Sequence, residues 1–288
     1  MIKLFFGSFF RKKANASPEL NINLSRHVVF SFPPKKIYKN NQVKTCQIEG
    51  HNIFTIIPTA VKNDQMLFYL HGGAYKMGIT YPHWSFINKI AVESGTTLTI
   101  MDYPIAPNSG YKETFHWVLA AYQALSKEVD ASKIILMGDS AGGGLTLALA
   151  QHLKQVKRSQ PKSMILLSPW LDVTMKNPEI NFFEKRDKFL SKRSLIESGK
   201  LYARGEDRKN YMISPIYGDL NGLADIYLFI GGDEILVADA RKLRELSKEA
   251  KVNLHYYEFE EMFHVWMLFP VPEAKKVRDL IHDIIMMN

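Results

Sequence analysis

Short apolar runs alternate with longer amphipathic stretches along most of the chain. The runs are rich in aliphatic, β-branched and aromatic residues and are bounded by turn residues, which is typical of buried strands. Strands are therefore predicted at 43–49, 53–57, 66–70, 97–101, 134–137, 164–167, 226–230 and 253–259, the first two as a hairpin around 50–52. Helices are predicted near 83–94, 113–127, 145–150, 239–250 and 273–287. Strands that alternate with helices indicate an α/β fold with a mostly parallel sheet.

Two segments depart from this rhythm. Residues 172–222 are charged and aromatic and contain no buried strand, so we interpret them as an inserted helical segment. Residues 1–40 contain three prolines, at 18, 33 and 34, and several asparagines, which is typical of a helical, loop-rich arm. A chain of 288 residues is near the upper limit for one core. We therefore assign 41–171 and 223–288 to a single core domain that carries the insertion.

A tight turn connects the strand at 134–137 to the following helix. Its sequence is Gly138-x-Ser140-x-Gly142, the pattern of a nucleophile elbow. A serine on such a turn sits in a strained backbone conformation, and side chains two residues to either side would clash. The turn lifts the hydroxyl clear of the sheet and aims the helix N-terminus at developing negative charge. Ser140 is therefore the candidate nucleophile.

A serine nucleophile needs a base, and the base needs a group that orients it. In an open α/β sheet such groups lie on loops past the carboxyl ends of strands. His264 follows the strand at 253–259 and is the predicted base, whereas the other histidines fall in predicted helices, strands or the arm. Asp233 follows the strand at 226–230 and is the predicted acid. Asp239 is its rival, although a first-turn helix charge suits it better, and Glu234 is expected to point to the opposite side.

A second turn follows the buried strand at 66–70. Its sequence is His71-Gly72-Gly73-Ala74-Tyr75. Small residues there let backbone N–H groups face a substrate oxygen, and such donors contribute about 3–4 kcal/mol each to a tetrahedral intermediate. This turn is therefore a candidate oxyanion hole.

Four motifs in one order resemble the hormone-sensitive-lipase-like esterases, a branch of the α/β-hydrolase superfamily. They cover roughly residues 65–270 and are His71-Gly72-Gly73-Ala74-Tyr75, Asp102-Tyr103-Pro104-Ile105-Ala106-Pro107, Gly138-Asp139-Ser140-Ala141-Gly142-Gly143 and Ser168-Pro169-Trp170. The resemblance implies a triad of Ser140, Asp233 and His264. It also implies oxyanion donors at Gly73, Ala74 and Ala141, with Gly72 shaping the turn. Cleavage of carboxylic esters with small to medium acyl chains follows from it, without a cofactor or metal.

The same resemblance implies a helical cap over the site, built here from residues 1–40 and 172–222. Aromatic residues would line the acyl pocket beneath it, although a plain core or surface role suits each of them equally. The candidates are Tyr75, Tyr103 and Trp170 in the core domain, with Phe182, Phe183 and Tyr202 in the insertion.

Three departures from the family pattern bear on this interpretation. Ala74 replaces the usual third glycine, so its methyl group narrows the substrate path while its N–H remains. Pro104 replaces an arginine, which removes a buried charge. The acid motif reads Asp233-Glu234-Ile235-Leu236 instead of Asp-Pro-Leu. None of these changes removes a catalytic group.

Two other functions remain open at this point. A peptidase or amidase could use the same fold, but neither a propeller domain nor a dedicated acidic pocket is evident in the sequence. A non-catalytic small-molecule receptor on this scaffold would be expected to lose the histidine, and His264 is present.

Composition and charge narrow the partners. The net charge of +8 comes from scattered lysines and arginines without a nucleic-acid motif, so a solvated basic surface is expected and no nucleic-acid partner. The single cysteine, Cys46, excludes an intrachain disulfide and fits a reducing, cytoplasmic location. A homodimer is left open.

The aromatic start of the chain leaves several interpretations. Phe5, Phe6, Phe9 and Phe10 would share one side of a helix and precede Arg11-Lys12-Lys13, the wrong order for a cleaved leader. Packing on the protein's own surface is preferred, and a peripheral membrane contact is the main alternative.

Overall fold

The apolar runs of the sequence form one eight-stranded sheet in the computed structural model, which describes residues 30–287. Its strands are β1 (Asn41–Ile48), β2 (His51–Pro58), β3 (Met66–Leu70), β4 (Thr97–Met101), β5 (Ile134–Asp139), β6 (Ser163–Leu167), β7 (Asp225–Gly231) and β8 (Leu254–Phe259). The order across the sheet is β1-β2-β4-β3-β5-β6-β7-β8. The predicted fold class is confirmed.

Among the eight described strands, β2 alone runs opposite to the others. β1 and β2 form the predicted hairpin, and β2 also runs antiparallel to β4. From β4 to β8 all neighbours are parallel. Parallel neighbours require long crossovers, which here contain the helices. The carboxyl ends of β3, β5, β6, β7 and β8 therefore meet at one edge of the sheet.

Seven α-helices lie within the described residues. They are α1 (Tyr81–Ser94), α2 (Tyr111–Leu125), α3 (Ala141–Gln155), α4 (Ile180–Glu184), α5 (Lys192–Ala203), α6 (Val237–Glu249) and α7 (Pro272–Met286). The predicted helices are all present, and their ends differ from prediction by a few residues. α1 begins early because the Nδ1 atom of His83 accepts a hydrogen bond from the N–H of Thr80, which caps the helix.

The core consists of two apolar clusters, one on each face of the sheet. Phe68 and Leu70 of β3 belong to one cluster with α2, α3 and α6, whereas Leu67 and Tyr69 belong to the other with α1 and α7. Alternate residues of a strand point to opposite faces, so a strand covered on both sides is apolar throughout. This is why the parallel strands appear in the sequence as uninterrupted apolar runs.

The segment 172–222 leaves the sheet after β6 and returns before β7. It contains α4 and α5 and no strand, and it packs Ile180, Phe183, Leu195 and Tyr202 into the cluster that includes α3. The predicted domain boundaries and the capping role of the segment stay predictions. The phenylalanines at 5, 6, 9 and 10 lie outside the described residues. No helix between residues 30 and 287 is long and apolar enough to span a membrane.

Candidate active site

Ser140 occupies the tight turn between β5 and α3. Its backbone has φ 51° and ψ −119°, a conformation that costs free energy for any residue other than glycine. The flanking glycines make this turn sterically feasible. A Cβ atom at Gly142 would lie 2.0 Å from the carbonyl oxygen of Leu70, and one at Gly138 would lie 2.4 Å from the oxygen of Gly142. The predicted elbow is therefore present, with Ser140 on its apex.

Backbone hydrogen bonds hold the elbow against the neighbouring strand end. The N–H of Ser140 donates to the carbonyl of Leu167 at 2.9 Å, and its own carbonyl accepts the N–H of Trp170 at 2.8 Å. These contacts fix the strained residue from both sides, so the hydroxyl has a defined position.

His264 lies on the loop after β8 and contacts the serine directly. Its Nε2 atom is 2.9 Å from the Oγ of Ser140, and the whole residue is buried. Its Nδ1 atom faces a carboxylate, which places the ring proton on Nδ1 and leaves Nε2 free to accept the serine proton. The structure therefore brings the predicted nucleophile and the predicted base together.

The prediction that Asp233 contacts this histidine is wrong. The carboxylate of Glu234 lies 2.5 Å from Nδ1 of His264 and is fully buried. Asp233 instead forms a salt bridge with Arg186 at 2.5 Å. The two acids are adjacent on the turn after β7 and point in opposite directions, with Glu234 facing inward. Asp239, the other rival, lies in the first turn of α6.

Glu234 is held by two further donors. Its Oε1 atom accepts the N–H of Gly231 at 2.9 Å and the hydroxyl of Ser168 at 2.7 Å. The Oγ atom of Ser168 also accepts the N–H of Val265, next to the histidine, at 3.2 Å. Ser168 thus links the acid to the loop that carries the base. Sequence reasoning did not assign it this role, although it belongs to the Ser168-Pro169-Trp170 motif.

Electrostatics strengthen His264 as a base. Burial alone would lower the pKa of His264, but the charge and hydrogen bond of Glu234, with the charges of Asp187 and Asp139, outweigh it and raise that pKa. A higher pKa means that the imidazole binds a proton more tightly than free histidine does. This is the property that proton abstraction from a hydroxyl requires.

The turn after β3 lies against Ser140. A Cβ atom at Gly72 would lie 3.0 Å from the Cβ of Ser140, and the N–H of Gly72 already donates to Asp139 at 2.9 Å. Gly72 is therefore a shaping residue rather than a free donor. The N–H groups of Gly73, Ala74 and Ala141 donate to no protein acceptor within residues 30–287. These last three groups can serve an oxyanion, as the sequence predicts.

Comparison with known proteins agrees with this geometry. The family model described as "alpha/beta hydrolase fold" matches residues 67–268. The chain belongs to the α/β-hydrolase family. An esterase of Acinetobacter venetianus is 30% identical over 249 residues, which cover 85% of this chain and 81% of the relative. An acetyl-hydrolase of Streptomyces hygroscopicus is 30% identical over 230 residues, covering 79% of this chain and 77% of that protein.

Solved structures give the same result. An esterase from the bacterial hormone-sensitive lipase family has a TM-score of 0.86 and 27% identity, with 99% of this chain and 97% of that chain covered. A hormone-sensitive lipase from a metagenome library has a TM-score of 0.85 and 28% identity, with 97% and 96% covered. The predicted resemblance is confirmed, and the chain is a hydrolase of the carboxylesterase type.

Asp139 anchors the oxyanion turn of this hydrolase. Its carboxylate accepts hydrogen bonds from the hydroxyl of Tyr69 at 2.6 Å and the N–H of Gly72 at 2.9 Å, and lies 3.3 Å from Nε2 of His83. Burial alone would raise the pKa of Asp139, but His83, Tyr69 and Gly72 together lower it. An ionised Asp139 thus connects the elbow to the turn that carries the donors.

His71 supports the same turn without acting on substrate. Its ring stacks on Tyr103 with centroids 4.2 Å apart, and its Nδ1 atom lies 2.7 Å from the carbonyl of Gly72. Burial, together with the charge of His83, lowers the pKa of His71 to about 4. His71 is therefore neutral at ordinary pH, and its Nδ1–H donates to the turn.

The aromatic pocket candidates separate into three groups. Tyr75 and Trp170 are buried beside α3, and Tyr75 stacks on Tyr202 of α5 with centroids 3.7 Å apart. Tyr103 faces His71 instead and lines a separate cavity of about 430 Å³. Phe183 is buried in the core cluster, whereas Phe182 is 60% exposed.

Proposed function

We propose that this hydrolase cleaves carboxylic esters of short to medium acyl chain through an acyl-enzyme on Ser140. The observation that carries the proposal is the continuous chain of hydrogen bonds from Ser140 through His264 to Glu234. A serine, a base and a buried acid in this order form the catalytic arrangement of serine hydrolases.

The first half of the reaction forms the acyl-enzyme. Nε2 of His264 takes the hydroxyl proton while Oγ of Ser140 attacks the ester carbonyl, which gives a tetrahedral intermediate. Glu234 holds the ring with its proton on Nδ1 and stabilises the imidazolium. His264 then transfers the proton to the alcohol oxygen, the carbon–oxygen bond of the alcohol breaks, and the acyl group remains on Ser140.

The second half releases the acid. His264 takes a proton from water, whose oxygen attacks the acyl carbonyl. A second tetrahedral intermediate collapses, and His264 returns the proton to Oγ of Ser140. In both intermediates the negative oxygen would accept hydrogen bonds from the N–H groups of Gly73, Ala74 and Ala141, each contributing about 3–4 kcal/mol.

The preference for short acyl chains is supported by the packing behind the nucleophile. A Cβ atom at Gly144, one turn into α3, would meet the Trp170 carbonyl at 2.2 Å and the Tyr75 hydroxyl at 3.4 Å. Tyr202 closes over Tyr75 from the insertion. Tyr75, Trp170 and Tyr202 form an aromatic wall, and in this proposal the wall limits the length of acyl chain that fits beside Ser140. The acetyl-hydrolase among the relatives is consistent with that limit.

The segment 172–222 is proposed as the cap. It supplies Tyr202 to the aromatic wall and Arg186 to the salt bridge with Asp233, so it reaches both sides of the site. Residues 30–40 are the part of the N-terminal arm that the structure describes, and Phe30 is held by hydrogen bonds to Ile79 and Trp84.

A series of p-nitrophenyl esters from acetyl to palmitoyl tests the proposal, with matched anilides alongside. We expect hydrolysis to be fastest for the short esters and to disappear in Ser140→Ala. A fluorophosphonate probe should label the wild type and not this variant. Equal labelling of both proteins, or a clear preference for anilides, would contradict the proposal.

A further inference from the structure

The insertion carries a buried carboxylate that the proposed mechanism does not use. Asp187 lies between α4 and α5 and has no exposed surface. Burying an ionisable group without strong partners costs several kcal/mol, so its environment indicates what it does.

The hydrogen bonds of Asp187 join two separate segments. Its Oδ1 atom accepts the N–H groups of Phe189 and Leu190 at 2.7 and 2.8 Å. Its Oδ2 atom accepts the N–H of Ile235 at 2.9 Å. Ile235 directly follows Glu234, so one carboxylate ties the insertion to the loop that carries the acid.

A second contact lies on the outer side of the same loop. Arg186 forms its salt bridge with Asp233, directly before Glu234. The insertion thus binds the residues on either side of the acid. The two contacts differ in environment, because Arg186 is about half exposed whereas Asp187 is buried.

We propose that Asp187 is a positioning residue for the Glu234–His264 pair. It fixes the acid loop through the N–H of Ile235, and its charge stabilises the protonated imidazole of His264. The insertion is then part of the catalytic apparatus as well as a cover. This inference rests on the proposed function of Ser140, Glu234 and His264.

The charges around Asp187 support this role. Burial raises the pKa of Asp187 to about 6, opposed by the three N–H donors and by the charge of His264. The charge of Asp187 in turn contributes to the raised pKa of His264, after that of Glu234. The charge of His264 thus acts on Asp187, and the charge of Asp187 acts on His264.

Asp187→Asn tests the role with nearly unchanged shape. The amide oxygen can still accept from Phe189 and Leu190, but the amide nitrogen cannot accept the N–H of Ile235. We expect kcat for p-nitrophenyl acetate to fall about tenfold with KM nearly unchanged. Because a negative charge is lost, the pKa of His264 should fall by roughly half a unit or more.

The matched control is Arg186→Gln, which breaks the exposed salt bridge to the same loop. Its kcat and its His264 pKa should stay near those of the wild type. The pKa of His264 is read directly from the proton NMR signal of its Nδ1–H, which requires no substrate. Circular dichroism at each pH verifies that the proteins are folded.

The outcomes separate the two proposals. If the proposed function is wrong, the fluorophosphonate probe labels the wild type and Ser140→Ala equally. An unchanged kcat and an unchanged His264 pKa in folded Asp187→Asn overturn the positioning role alone. A loss of activity that only follows the unfolded fraction, with an unchanged His264 pKa, also overturns it.

Discussion

At the scale of single residues, the site depends on which of two adjacent acids faces inward. Glu234 accepts hydrogen bonds from Gly231 and Ser168 and contacts His264, so all its partners are inside the protein. Asp233 contacts Arg186 near the surface. The two carboxylates therefore give opposite expectations under substitution.

Glu234→Gln should lower kcat by roughly a thousandfold or more, because the amide can no longer stabilise the imidazolium or fix the tautomer of His264. Asp233→Asn, its matched control, should retain kcat within about twofold, because its exposed partner contributes little. Steady-state hydrolysis of p-nitrophenyl acetate measures both. A severe loss in Asp233→Asn with normal activity in Glu234→Gln would restore the assignment made from the sequence.

The pH profile follows from the charge on His264. Its pKa lies above the ordinary value of 6.5, and catalysis requires the neutral imidazole. The ratio kcat/KM should therefore fall as pH drops, with a midpoint above 6.5. In Glu234→Gln the residual activity should have a lower midpoint, since burial then dominates. A wild-type midpoint below 6.5 would contradict this electrostatic account.

The identity of the acid could not be derived from the sequence. Asp233 and Glu234 both follow the strand end, and a difference of one residue reverses the direction of a side chain on an extended turn. The sequence analysis assigned the inward position to Asp233 and the opposite side to Glu234, and the structure has the reverse arrangement. Ser140 and His264 were found because a strained turn and an isolated loop histidine leave local signals. The links through Ser168 and Asp187 join residues far apart in the chain and leave none.

At the scale of elements, α6 begins with a buried carboxylate that is poorly compensated. Oδ1 of Asp239 accepts the side-chain amide of Asn177 at 3.0 Å, while Oδ2 is buried without a partner within residues 30–287. Burial, with the nearby charge of Asp172, raises the pKa of Asp239 to about 6. Asn177 belongs to the insertion, so this pair is a second link between insertion and core.

Asp239→Asn should stabilise the protein at alkaline pH. A pKa that is higher in the fold means that the ionised carboxylate costs free energy above about pH 6. That cost decreases as the pH falls toward the pKa that Asp239 has in the unfolded chain. We expect the free energy of unfolding to rise by about 1–2 kcal/mol at pH 8 and by roughly half as much at pH 5, because the cost disappears only below the pKa of the unfolded state. Urea unfolding at the two pH values measures this, and a destabilised variant at pH 8 would contradict it.

The elements themselves were largely predictable from the sequence. The parallel strands are apolar on both faces, and the helices have one apolar side, so each leaves a periodic signal. The insertion was recognised by the absence of such a signal. The internal arrangement of the insertion could not be predicted, because α4 and α5 are positioned by individual contacts such as that between Asn177 and Asp239.

At the scale of the whole molecule, the insertion and the core share the aromatic wall. Tyr202 of α5 stacks on Tyr75, which follows the oxyanion turn. The proposed limit on acyl-chain length therefore requires that the insertion and the core stay in contact. The cytoplasmic location stays a prediction at this scale, and the homodimer and the peripheral membrane contact stay open alternatives.

Tyr202→Leu should shift the preference toward longer acyl chains. Leucine retains an apolar side chain but opens space beside Tyr75, so the ratio of octanoyl to acetyl ester hydrolysis should rise several-fold. Leu201→Ala, the control on the same helix, replaces a residue that is 43% exposed and should leave the ratio unchanged. An unchanged ratio in folded Tyr202→Leu would show that the wall does not limit the chain.

The two hydrogen-bonding sides of Asp187 have a consequence for recombining this protein with its relatives. A chimera with breakpoints at the ends of 172–222 would exchange the carboxylate while keeping the N–H of Ile235 that it serves. A segment taken from a relative could lack a hydrogen-bond acceptor at the position of Asp187. Such a segment would pack on the sheet and still leave the acid loop unsupported. The insertion and the acid loop therefore need to come from the same parent protein. A library of chimeras should transfer residues 233–236 together with the insertion.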